Sequence, residues 1–138
     1  MDKNCVFCKI IGNEIPSSTL YEDENFMAIM DISPANKGHV IILSKSHIKD
    51  VFELDENSAK NAMVVVKKLA NAIKKELGCD GLNVLQNNGV AAGQTVFHYH
   101  IHLIPRFNDD TVKIEWINKS YGEGEAKLLC DAIKKHII

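Results

Sequence analysis

The chain has 138 residues, 46% of them apolar and 25% charged, with a formal net charge of −2. That length suits one domain with enough material for a real core, and the lack of a basic excess argues against a nucleic-acid backbone as the main partner. The apolar runs, such as Val40 to Leu43 and Ala62 to Val66, are too short to cross a bilayer, and the opening Met-Asp-Lys-Asn-Cys lacks the regions of a secretory signal, so a cytoplasmic protein is expected.

In chain order, a short helical turn is expected near Val6 to Ile11, followed by strands at Thr19 to Glu22, Phe26 to Asp31 and His39 to Ser44. Pro34 and Gly38 bracket a turn between the second and third strands, as in a hairpin. A long helix follows from about Glu56 to Leu77, with Asp55 as N-cap and Gly78 as the C-terminal stop. Its positions Ala59, Ala62, Met63, Val66, Leu69, Ala70, Ile73 and Leu77 keep three- and four-residue spacing and make one buried stripe. Lys74 and Lys75 sit in the last turn, where the helix dipole favours cations. Strands at Leu82 to Asn87 and Phe97 to Ile104 and a helix near Glu123 to His136 complete the order. Short turns and a majority of strands predict an α+β fold, an antiparallel five-stranded sheet with helices packed on one face. The whole chain, 1–138, reads as a single domain.

Residues 98 to 104 read His-Tyr-His-Ile-His-Leu-Ile. On a strand, His98, His100 and His102 share one face and Tyr99, Ile101 and Leu103 the other. Three imidazoles each need partners for two ring nitrogens, so a purely structural row inside a core is costly. Two chemistries remain: a catalytic zinc that activates water, or an imidazole nucleophile. No Asp or Glu lies between Asp80 and Asp109, which counts against a local metallohydrolase carboxylate. A nucleophilic imidazole needs none. Neutral near pH 7, it can attack phosphorus and form a bond that water reopens, while protonated neighbours stabilise the transition-state oxygens.

Residues two apart on a strand lie roughly 6.6 Å apart, so the outer histidines are about 13 Å from each other. His98 is therefore free for a different task. Cys5, Cys8, His47 and His98 would make a closed Cys₂His₂ zinc site. The rival readings of Cys5-x-x-Cys8 are a redox pair or two buried thiols. Cys79 and Cys130, both isolated, read as packing residues. The polar loop Leu85 to Gln94 runs into the histidine strand, and amides from Gly93 to Thr95 could face an anion there. His39 follows Gly38 at the start of the third strand, and His136 near the chain end receives no role.

The row resembles the signature of the histidine triad (HIT) family, His-φ-His-φ-His-φ-φ with φ apolar. The resemblance extends over about the first 107 residues: Cys-Val-Phe-Cys-Lys-Ile-Ile (5 to 11), Glu-Ile-Pro (14 to 16), Asp-Ile-Ser-Pro (31 to 34), Gly-His-Val-Ile-Ile-Leu (38 to 43) and Gly-Gln-Thr-Val (93 to 96) look like its landmarks in order. It implies a HIT-like core at about 4–107, an extension with a helix at about 108–138, and a homodimer whose sheets join. It also implies a nucleoside-phosphate hydrolase or transferase acting at the α-phosphorus of a purine nucleotide such as AMP or its conjugates. By motif position, His100 is the nucleophile and His102 and His39 hold the phosphate oxygens. Asp31 takes the ribose, Phe7, Ile15 and Ile32 the base, and Asn87, Gly93, Gln94 and Thr95 the phosphate. Structural zinc falls on Cys5, Cys8, His47 and His98. Trp116 and the tail resemble prokaryotic or fragile-histidine-triad members, Asn87 the nucleotide-binding branch. The implied leaving group is thus an amine, as in phosphoramidates, or a second nucleotide, as in dinucleoside polyphosphates. A nucleotide-binding module with vestigial catalysis is the reading from another class.

Overall fold

The computed structural model describes residues 1–138. The elements are helix α1 (Val6–Ile11), strands β1 (Thr19–Glu22), β2 (Phe26–Met30) and β3 (Val40–Ser44), helix α2 (Glu56–Leu77), strands β4 (Gly81–Leu85) and β5 (His100–Arg106), and helix α3 (Glu125–Lys134). Single 3₁₀ turns at Val51–Glu53 and Val90–Ala92 lie in the connections before α2 and after β4. The five strands form one antiparallel sheet in the order β1-β2-β3-β5-β4. The fold is α+β, as the sequence predicts.

Residues of β2 and β3 are apolar almost without interruption because both faces of the sheet centre are covered. On one face Phe26, Ala28, Val40, Ile42, Ile101 and Leu103 pack against Ala62, Val65, Val66, Leu69 and Ile73 of α2. On the other, Met27, Ile29, Ile41 and Leu43 pack against Phe7, Cys8 and Ile10 of α1. The helices therefore do not share one face. α1 is too short to look amphipathic at sequence level, and its side follows from what it must cover. Removing a side chain such as Leu103 from water contributes about 1.5–3 kcal/mol.

α2 begins and ends where its capping residues predict. Asp55 Oδ1 accepts from the Ser58 N–H at 2.9 Å, and Gly78 closes the helix in the left-handed region at φ +58°. Its buried stripe runs through Val65 instead of Met63, which is exposed, and ends at Ile73, since Leu77 is exposed as well.

β5 starts at His100, three residues later than the pattern suggests, and continues through Pro105. Pairing with β3 spans only His100 to Leu103, so at Pro105 the strand has a single neighbour, β4, and the missing N–H costs no ladder bond. From Lys113 to Ile138 every residue is exposed, including Leu128, Leu129 and Ile133 of α3. Cys79 is buried, as a packing residue should be; Cys130, on α3, is exposed, so packing within this chain does not account for it.

Candidate active site

His100 and His102 project from β5 onto the α1 face of the sheet, where a cleft of about 300 Å³ is lined by both rings. Phe7 and Ile10 of α1, Ile15, Ile29, Ile32 and Ile41 form its apolar wall, and Asp31, Ser17 and Thr95 its polar edge. Ile32 is almost fully exposed, an apolar side chain held at a cleft mouth. Phe7, Ile15, Asp31, Ile32 and Thr95 are the lining residues that the sequence points to; Ile10, Ile41 and Val96 lie within its motifs without being singled out, and Ser17 and Ile29 carry no sequence signal beyond closeness to them.

The protonation pattern of the histidines follows from their fixed partners. His100 Nδ1 lies 2.6 Å from the His98 carbonyl oxygen. A carbonyl only accepts, so Nδ1 carries the hydrogen and Nε2 keeps a free lone pair. His39 Nδ1 lies 3.0 Å from the Ala35 N–H, which only donates, so the His39 proton sits on Nε2. That Nε2–H points at His102 Nδ1, 2.9 Å away, and at Asp31 Oδ2, 3.5 Å away. His102 then accepts at Nδ1 and carries its own hydrogen on Nε2. Backbone groups at two ends thus fix three tautomers.

Burial lowers the pKa of His39, His100 and His102 below the ordinary histidine value. For His102, burial together with the neighbouring His100 and His39 pushes it down to about 4. Asp31 opposes these shifts without reversing them. Near pH 7 the set is neutral, so any donors to a phosphate are neutral N–H groups and not the imidazolium ions anticipated from sequence.

His98 stands apart from this set. Tyr99 donates its N–H to the Ile48 carbonyl at 2.6 Å, and the segment before His100 leaves the sheet. His98 Nε2 donates to the Ser44 carbonyl at 2.6 Å, which turns a bare Nδ1 lone pair toward the cysteines. Nδ1 lies 3.4 Å from Cys5 Sγ, 3.5 Å from Cys8 Sγ and 3.2 Å from His47 Nδ1. His47 Nδ1 is 3.2 Å from Cys8 Sγ, and the four donor atoms all lie within 4.8 Å of one another. A tetrahedral ion with bonds of about 2.0 Å to nitrogen and 2.3 Å to sulfur sets its ligand atoms roughly 3.3–3.8 Å apart. The donor set fits such an ion. Burial raises the pKa of the Cys8 thiol, so a neighbouring cation would be what stabilises its thiolate.

The remaining sequence candidates are placed differently. Gln94 is buried with its side chain turned inward, accepting from the Gly89 N–H at 2.7 Å and donating to the Lys49 carbonyl at 2.8 Å. Gly93 holds φ +88° at the end of the 3₁₀ turn, where a side chain would be strained. Neither residue lines the cleft, nor does Asn87, which follows β4. Gln94 braces the loop that presents Thr95.

The family model for the HIT domain matches residues 12–109. A Bacillus subtilis protein called "Protein hit" is 50% identical over 105 residues, covering 76% of this chain and 72% of its own length. An adenosine 5'-monophosphoramidase of Schizosaccharomyces pombe is 36% identical over 135 residues, covering 97% and 98%. The crystal structure of a HIT family member from Bacillus subtilis superposes with a TM-score of 0.93 at 42% identity, covering 99% of each chain.

Proposed function

The chain belongs to the HIT family, and on that premise we propose that it cleaves purine nucleotide conjugates of the phosphoramidate type at the α-phosphorus, through a nucleotidyl-histidine intermediate on His100. One observation carries the reading: the His98 carbonyl holds the proton on His100 Nδ1, leaving the Nε2 lone pair free on a ring that lines the cleft. The fission yeast relative's name as an adenosine monophosphoramidase supports the choice of substrate class.

In the reaction, the His100 Nε2 lone pair forms a bond to phosphorus and the bond to the leaving nitrogen breaks. That nitrogen takes up one proton in this step. Water then attacks phosphorus, releases a proton, and frees His100 with the nucleotide. The first proton is drawn from solvent and the second returned to it, while the neutral His102 Nε2–H would donate a hydrogen bond at the reacting group and His102 Nδ1 accepts from the His39 Nε2–H, which keeps the ring aligned. The apolar wall at Phe7, Ile15 and Ile32 suits a purine, and Asp31 at the edge suits ribose hydroxyls. Of the Gly93–Thr95 segment, Thr95 lines the cleft and would contact the phosphate, on a loop that follows Asn87 and is shaped by Gly93 and Gln94. Cys5, Cys8, His47 and His98 would hold zinc, which supplies cross-linking of α1 to the sheet and no chemistry at phosphorus.

The chain would act as a homodimer in the cytoplasm, with residues 108–138 as an extension of the core. The exposed apolar residues of α3 and of Trp116 are what a partner would cover. The catalytic reading is tested by His100→Ala assayed on an adenosine phosphoramidate and on a diadenosine polyphosphate. Turnover should vanish on both while AMP still binds, and the wild type should prefer the phosphoramidate. Tight AMP binding without wild-type turnover would instead mark a binding module.

A further inference from the structure

His98 belongs to two assemblies at once. Its ring completes the four-donor cluster, and its backbone carbonyl is the acceptor that sets the tautomer of His100. The ring is fully buried and tied at both nitrogens, by Ser44 on one side and the cysteines on the other. With the ring held this way, the carbonyl has little freedom to turn from His100.

A second connection runs through α1. Six residues do not make a stable helix alone. Beyond the adjoining turn at 12–15, every side-chain hydrogen bond or ion pair from residues 1–11 to the rest of the molecule ends on His47 or His98. Phe7, between the two cysteines, meets the His98 ring edge-on at 5.9 Å and the His100 ring at 4.9 Å between centroids. Whatever fixes Cys5 and Cys8 therefore also fixes one wall of the cleft and the packing partner of the nucleophile.

We infer that the Cys5–Cys8–His47–His98 cluster is a positioning device for the nucleophile, so that metal occupancy and nucleotide binding are energetically coupled through His98 and Phe7. His98 is a positioning residue here and does not touch substrate. The inference rests on the reading of His100 given above, and it differs from a purely structural role in a checkable way. A metal needed only for stability would leave His100 unchanged in any protein that is still folded.

The test uses the zinc-loaded protein and the same protein stripped by chelator under reducing conditions. Nitrogen NMR of the histidine rings reads the tautomer of His100 without substrate, and circular dichroism reports whether the sheet persists. In the zinc-loaded protein the hydrogen should sit on Nδ1. In the stripped, folded protein a mixture with the Nε2–H form should appear, and AMP should bind about tenfold more weakly. By reciprocity, saturating AMP should raise the zinc affinity about tenfold in a chelator competition. If stripping unfolds the sheet, His47→Ala loosens one corner while three donors remain, and the same tautomer shift is expected there. An unchanged Nδ1–H tautomer with AMP affinity within about twofold, in whichever of these proteins stays folded, overturns the coupling. Failure of AMP to bind the zinc-loaded protein would strike the nucleotide reading instead, and the ring spectra would still decide this one.

Discussion

His39 Nε2 lies 2.9 Å from His102 Nδ1 and carries the ring proton, because the Ala35 N–H occupies the opposite ring nitrogen. His39 therefore orients His102 from β3's leading edge and leaves the His102 Nε2–H for the cleft. His39→Ala removes that donor and should lower kcat roughly 10²-fold. His39→Gln, whose amide can donate at a similar reach, should recover part of the loss. Steady-state kinetics of the two variants on an adenosine phosphoramidate check this, and equal losses would contradict it.

The depressed pKa values give a pH dependence with a definite sign. An ordinary histidine is half protonated near pH 6.5. His39 lies below that and His102 is pushed to about 4 by burial and its histidine neighbours. The neutral form is the working one, so kcat/KM should show no acid limb from these two rings near pH 6.5, and His102 should impose its limb close to pH 4. The same shifts bear on stability. Below pH 6.5 the unfolded chain binds protons that the folded one refuses, so stability is fully present above that pH and falls with acidity toward the folded pKa. His102→Asn should flatten that acid loss in denaturant titrations run from pH 7 to pH 4.

Asp31 accepts the Ser33 N–H at Oδ1, 2.8 Å away, which leaves Oδ2 facing His39 and the cleft. Asp31→Ala should weaken AMP binding about tenfold, consistent with loss of roughly one charged hydrogen bond. It should also erase the difference between AMP and its 2',3'-dideoxy analogue. Calorimetry with both ligands reads the effect, and a discrimination that survives the substitution would remove Asp31 from the ribose.

Gly38 adopts φ +90°, and a Cβ there would collide with Leu77 Cδ1 at the end of α2 and press on Pro105 Cγ. Gly38→Ala should cost about 1–3 kcal/mol in urea unfolding through strain and overpacking. It should also reduce turnover, because the next residue is His39.

Much of this arrangement is legible in the sequence. α2 announced itself through Asp55, Gly78 and a 3.6-residue period, and the alternating row marked His100 and His102 as neighbours on one face. Strand spacing sets His98 apart from His102, and the structure brings His98 to Cys5, Cys8 and His47. What could not be read depended on partners distant in sequence. The Tyr99 N–H goes to Ile48 and only its carbonyl still meets the sheet, at Ser44, so the strand begins at His100, and no local pattern signals that. Gln94 is polar and beside the motif, yet its amide is consumed by Gly89 and Lys49, a choice made by the loop's need for backbone partners. The neutral state of the triad likewise comes from tertiary burial, which composition does not reveal.

The mechanism proposed above requires His100 Nε2 to bond to phosphorus. Rapid quenching of the protein during turnover of an adenosine phosphoramidate, followed by mass spectrometry of its peptides, addresses it directly. An adenylyl group should be found on His100 at early times, absent from His100→Ala, and lost at the rate of hydrolysis. An adduct on another residue, or undiminished turnover by His100→Ala, would rule out His100 as the nucleophile.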